Sequence, residues 1–270
     1  IAAKVVALGL ATWCVAAESR MVCLGGAVTE TVWALGAGAR VVAVDDSSTY
    51  PSDAAALPKV GYYRMISAEG VLSVRPDLVV ASVDAGPAQA LDQIERAGVR
   101  VVRIPGGSSV SGCVERILAV GEALDATADA AALAASVEEE LAALPPPPEP
   151  RPKVLFVFAR GAGTLNVAGR NTAADAIIML SGGINAVDGY EGYRPMTAEA
   201  VVMAEPEVIV ITTSGLEGIG GASGLWALPG LSDTPAGRTG RLVALEDLHL
   251  LGFGPRLPGA VKALRAAFHP

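Results

Sequence analysis

Histidine is scarce in this chain, with two copies in 270 residues, and cysteine occurs three times. Neither residue gathers into the close pairs that a zinc site needs, so no zinc centre is legible. Basic residues are outnumbered by acidic ones, for a formal net charge of −8. No arginine cluster interrupts this excess, which excludes nucleic acid as a partner, because phosphate recognition requires a basic face. Motif absences narrow the choice further. Gly25-Gly26 lacks the spacing of a dinucleotide fingerprint, there is no Gly-Lys-Ser or Gly-Lys-Thr phosphate loop, and no nucleophile elbow occurs. With no clustered His-Asp-Ser set either, catalysis has no residues to occupy and the chain reads as no enzyme. Beyond the first residues, no apolar run approaches the ~20 positions of a membrane span.

What is present is an apolar half: 51% of positions are hydrophobic, enough for one large core or two ordinary ones. The 18 prolines and 31 glycines punctuate apolar runs and form no biased tract, which argues for a folded chain. Residues 1–17 read differently from the rest. Lys4 precedes an apolar stretch that ends in Val15-Ala16-Ala17 before the polar Glu18-Ser19-Arg20, as in the tail of a secretory signal peptide. Cys14 follows the bulky Trp13, which argues against a lipid-modified start. The expectation is therefore an exported, periplasmic protein in which Cys23 and Cys113 remain as two buried thiols.

From Arg20 onward short apolar runs alternate with helical patterns. Met21–Leu24 reads as a strand, Gly25-Gly26 as a turn, and Thr29–Leu35 as a helix closed by Gly36. Strands are predicted at 41–44, 78–81 and 99–104, with a helix over Gln89–Ala97; this alternation indicates α/β structure. Cys113–Leu124 and Thr127–Leu144 are alanine-rich and free of proline, so they predict long helix, stopped by the run Pro145–Pro148. The pattern then restarts with a strand at Val154–Phe158, a turn at Gly161-Ala162-Gly163 and a helix over Thr172–Leu180.

The second half repeats the first at a constant offset of 130 residues. Tyr63-Arg64-Met65-Ile66-Ser67-Ala68-Glu69 returns as Tyr193-Arg194-Pro195-Met196-Thr197-Ala198-Glu199. Arg75-Pro76-Asp77-Leu78-Val79-Val80 returns as Glu205-Pro206-Glu207-Val208-Ile209-Val210. Each copy reads as an aromatic–arginine loop, a Ser or Thr N-cap, a short helix bearing Glu, and a Pro-acidic turn into a buried strand. Two similar lobes presenting equivalent loops are expected, with domains at 18–124 and 151–270 joined by an inter-lobe helix and proline linker at 125–150.

This plan resembles the periplasmic substrate-binding proteins of ABC importers for heme, cobalamin and iron-siderophores. Four phrases carry a closer likeness to the heme branch: Leu24–Glu30, Val60-Gly61-Tyr62-Tyr63-Arg64 with Ser67–Gly70, Ala168–Asp175, and Leu250–Arg256. The resemblance implies two Rossmann-like α/β lobes joined by a single long rigid α-helix, with a ligand cleft between them. It implies heme (Fe-protoporphyrin IX) as the transported ligand, an inner-membrane ABC permease with its ATPase as partner, and a monomer in solution; a cobalamin or ferric-siderophore carrier is the alternative. By the branch's pattern, Tyr62 ligates ferric iron and Arg64 supports it, consistent with the preference of hard Fe(III) for anionic oxygen. Tyr63 is the rival ligand, or stacks on the porphyrin. Tyr193 and Arg194 are expected in the heme pocket on the opposite lobe, with Arg194 pairing a propionate, and His249 is a minor candidate there. Glu69 and Glu199 are expected to dock the permease, one on each lobe.

Overall fold

The computed structural model describes residues 20–147, 149–159 and 165–269. The expected signal tail at 1–17 with Cys14, Pro148, and the turn at 161–163 lie outside them. Met21–Leu24 (β1), Gly26–Ala34 (α1), Val41–Val44 (β2), Ser52–Ala55 (α2), Ala68–Ser73 (α3), Leu78–Ser82 (β3), Ala88–Arg96 (α4) and Arg100–Ile104 (β4) build the first lobe. Its four strands are parallel, in the order β2-β1-β3-β4. Their continuous apolar runs follow from coverage on both faces. Alternate residues feed opposite cores: Met21, Cys23, Leu78 and Val80 pack with α1, while Val22, Leu24, Val79 and Ala81 pack with α3 and α4. The helix α1 begins at Gly26, earlier than expected. Gly25, at φ 110°, turns the chain, and a side chain at Gly26 would collide with the Ser47 carbonyl and Leu248.

Val110–Ala123 (α5) opens on Ser109, whose hydroxyl accepts the Gly112 amide, and Asp125 in the left-handed region ends it. Thr127–Ala142 (α6) then carries the chain toward the second sheet. The two helices touch where Gly121 faces Ala130, leaving no space for a β-carbon on the glycine. Cys113 and Ile117 of α5 and Ala130, Ala134 and Val137 of α6 share one core with Val154, Phe156 and Leu264 of the second lobe. The proline segment is tied to that lobe, with Arg265 donating to the Pro145 carbonyl.

The second lobe holds Lys153–Phe158 (β5), Asn166–Ala168 (β6), Ala173–Leu180 (α7), Ile184–Asn185 (β7), Tyr193–Pro195 (β8), Ala198–Ala204 (α8), Val208–Thr212 (β9), Thr213–Gly218 (α9), Gly221–Trp226 (α10), Pro235–Thr239 (α11), Leu242–Leu245 (β10), Asp247–Leu251 (α12) and Leu257–Phe268 (α13). The sheet runs β10-β9-β5-β6-β8, with β7 also on β5; β6 and β8 are antiparallel to their neighbours.

The 130-residue repeat is real in its second part. Arg75 and Glu205 share a left-handed backbone, at φ 49° and 48°. The acidic residue two positions on accepts the amide that opens the lobe's first strand: Asp77 that of Arg20 at 2.9 Å, Glu207 that of Lys153 at 3.0 Å. Ser67 and Thr197 cap α3 and α8 in the same way. The first part diverges, correcting the expectation of equivalent loops. Tyr63–Met65 is a 3-10 turn, whereas Tyr193–Pro195 is an edge strand paired with β6.

The lobes are stitched by the loop 252–256, which leaves the second lobe and lies against the first. Arg256 places its amide 2.9 Å and a guanidinium nitrogen 3.0 Å from the carboxylate of Glu30 on α1, which is only 3% exposed. The same guanidinium lies 3.6 Å over the Tyr50 ring. Phe253 is left-handed, at φ 51°, and its carbonyl accepts Arg116 at 2.7 Å. Thr49 adds a hydrogen bond to Glu246 at 2.8 Å.

Candidate functional site

A cleft of about 920 Å³ lies between the lobes. Its walls are the residues that follow the parallel strands: Gly25 after β1, Asp46 after β2, Asp84 after β3, Gly106 after β4, Thr213 after β9 and Glu246 after β10. Crevices at the carboxyl ends of parallel strands are where open α/β sheets take ligands.

Tyr62 stands at this cleft in an extended conformation, between left-handed Gly61 and the 3-10 turn. The Gly61 carbonyl accepts the Asp46 amide at 3.0 Å, and the Tyr63 carbonyl accepts the Gly86 amide at 2.9 Å, so two neighbouring loops fix the segment. Tyr62 and Tyr63 meet edge to face, with centroids 5.0 Å apart. Arg64 does not bond Tyr62 as expected. Its Nε donates to the Tyr63 hydroxyl at 2.9 Å and its Nη2 to Asp84 at 2.9 Å. Burial raises the Tyr63 phenol above its usual value, with Arg64 pulling the other way. Tyr63 also packs against the first-lobe core, so it is held by ring and hydroxyl alike.

Across the cleft stands an aromatic wall, Tyr193 against Phe158 at 4.8 Å. Burial raises the Tyr193 phenol, while the Ala174 amide and Thr172 hydroxyl hold it back. Its hydroxyl thus lies at the start of α7 and its ring borders the cleft. Arg194 is not brought there. As its neighbour on a strand it takes the opposite face, where its guanidinium lies 5.2 Å over the Tyr190 ring. His249 is also elsewhere: on α12, with its buried Nε2 toward Gly259 of α13, and lowered in pKa by burial and by Arg256. Residues Asp247, Leu248 and Leu251 of the same helix line the cleft instead. Glu69 and Glu199 lie exposed in the first turns of α3 and α8, outside the cleft lining.

Several cleft residues were not singled out from sequence. Asp45 lies behind the lining residues Asp46 and Ser47, fully buried, and organises the loop after β2, accepting the Gly25 amide at 2.8 Å and the Ser47 and Ser48 hydroxyls at 2.6 Å each. The run Asp45-Asp46-Ser47-Ser48 is a turn signal that could have revealed it. Asp247 accepts the Ser214 hydroxyl at 2.5 Å. Arg116, inside a helix, carries no local signal. Among the described residues no cluster of His, Cys, Asp and Glu forms a metal site, and no helix is long and apolar enough to cross a membrane. Cys23 and Cys113 are free and buried; burial pushes the Cys113 thiol up to about 11.

Two α/β lobes holding a crevice at their strand ends define a ligand-binding protein, and the sequence agrees: residues 21–248 match the family described as periplasmic binding protein, to which this chain belongs. Among solved structures it is similar to the periplasmic heme-binding protein RhuT from Roseiflexus sp. RS-1 in apo form, with a TM-score of 0.88, 43% identity, and coverage of 93% of this chain and 98% of that one. It is similar too to the periplasmic heme-binding protein BhuT in complex with two hemes, at TM-score 0.85 and 43% identity, covering 93% and 99%. A cobalamin-binding protein of Halobacterium salinarum is 29% identical over 260 residues, 93% of this chain and 69% of that protein.

Proposed function

We propose that this protein captures ferric heme in the inter-lobe cleft, with the Tyr62 phenolate on the iron, and delivers it to an ABC permease. The observation that carries the reading is the division of labour in the loop. Tyr62 and Tyr63 both line the cleft that an aromatic wall of Tyr193 and Phe158 borders, but Arg64 clasps the Tyr63 hydroxyl and Asp84 while the Tyr62 hydroxyl takes no part in that clasp. Tyrosinate oxygen suits Fe(III). Support comes also from the heme proteins to which the chain is similar, at 43% identity. Glu69 and Glu199 are the proposed permease contacts, on helices capped alike in each lobe. Arg194 and His249 have no part in the pocket. Export to the periplasm, and action as a monomer, complete the reading.

Titration of the purified protein with ferric heme tests it. A tyrosinate charge-transfer band is expected to develop with wild type and to vanish in Tyr62→Phe, while Tyr63→Phe retains it. Loss of the band in Tyr63→Phe alone would transfer the ligand to the neighbour. The second reading, a cobalamin carrier, is favoured by the Halobacterium relative. Quenching of tryptophan fluorescence by cobalamin and not by heme would establish it in place of the first.

A further inference from the structure

Among the described residues two guanidinium groups line the cleft, and they are not in the same state. Arg64 is already neutralised by Asp84, at 2.9 Å. Arg116 lies on α5, 52 positions further along the chain, and reaches the same cleft beside Gly106, Gly107 and Ser108. Its Nη1 is spent on a neutral partner, the Phe253 carbonyl, and no ion pair involves it among the described residues. Gly106, at φ 131°, makes room for the other side of the fork: a β-carbon there would lie 2.8 Å from Arg116 Nη2. The guanidinium is thus fixed between a glycine loop of one lobe and a carbonyl of the other, partly buried, without an ion-pair partner among the described residues. Burial lowers its pKa from the arginine value, with Cys113, Asp84 and Tyr63 acting in the opposite direction.

The acids of the cleft are arranged differently. Asp46 and Asp84 line it on the first lobe, Asp84 paired with Arg64; on the second lobe Glu246 is engaged with the amides of Leu248 and His249, with Thr49 and with Arg256, and Asp247 with Ser214. None of these acids forms an ion pair with Arg116, so its charge is available to an anionic ligand.

We infer that Arg116 receives a carboxylate from the rim of the bound macrocycle and makes the cleft selective for an anionic rim over a neutral one. The inference rests on the heme reading and deepens it. Heme bears two propionates, whereas the amide side chains of a corrin offer no negative charge to pair. A planar guanidinium held in advance at a partly dry site is suited to a bidentate carboxylate contact.

The test compares ferric heme with its dimethyl ester, which keeps the iron and the ring but removes both charges, in one detergent buffer. Wild type is expected to prefer heme by about 10- to 100-fold, the range of one charge-assisted hydrogen-bonded pair. Arg116→Gln, which keeps a donor for the Phe253 carbonyl, is expected to bring that ratio near one by weakening heme alone, with the Tyr62 band intact. Arg116→Lys is expected to keep most of the preference. Equal weakening of heme and ester in Arg116→Gln would overturn the inference, reducing Arg116 to a support for the 252–256 loop. So would an unchanged ratio, or a wild type that does not discriminate. A wild type that binds neither porphyrin would instead overturn the heme reading itself.

Discussion

Tyr62, Tyr63 and Arg64 are consecutive, and their contacts give each a different task. The backbone turns at Tyr63, so the ring of Tyr63 enters the first-lobe core and Arg64 folds back onto its hydroxyl. That contact keeps the Tyr63 hydroxyl occupied, while Tyr62 and Tyr63 both line the cleft. The surface ion pair of Arg64 with Asp84, each side chain about half exposed, orients the guanidinium more than it stabilises the fold. Glu30 is the opposite case, a carboxylate 3% exposed whose charge is met by Arg256 from the other lobe. Removing one member of a buried pair leaves the other unmatched. Glu30→Ala is therefore expected to cost roughly 3 kcal/mol in urea unfolding. A loss below about 1 kcal/mol, the value of an exposed pair, would place this contact among the surface pairs. The sequence motifs contained both partners, Glu30 in Leu24–Glu30 and Arg256 in Leu250–Arg256. Their pairing across 226 residues was not legible, because it depends on how the lobes meet.

At the scale of elements, the strands were the most legible part. Met21–Leu24, Val41–Val44 and Leu78–Ser82 are apolar because both faces are covered, and that leaves an unbroken run in the sequence. The strand at Tyr193–Pro195 was read as a loop. Its proline disguised it, and proline is tolerated there because β8 is the last strand of its sheet. With the strand unrecognised, the alternation that sends Tyr193 to the cleft and Arg194 away from it was invisible as well. The two linking helices carry the prediction for this scale. Gly121 of α5 faces Ala130 of α6 without room for a β-carbon, and both helices contribute to the core that continues into the second lobe. Gly121→Val is expected to lower stability by about 1–3 kcal/mol through overpacking, read as a fall in the urea midpoint. An unchanged midpoint would mean that the helices part at no cost.

For the whole molecule, the repeat has two meanings. The Pro-acidic turns are a folding device, since Asp77 and Glu207 each tie a connecting turn to the opening of the lobe's first strand. The capped helices α3 and α8 leave Glu69 and Glu199 exposed to solvent. The double variant Glu69→Ala, Glu199→Ala is accordingly expected to bind heme as wild type does, yet to fail in stimulating the ATPase of the reconstituted importer. Stimulation at the wild-type level would end the docking proposal. The stitching loop at 252–256 has its own consequence. Arg256, Phe253 and their partners fasten one jaw to the other. Contacts already made within the protein need not be made on binding, which lowers the ordering cost of closure. The same fastening opposes any hinge motion that would part the jaws.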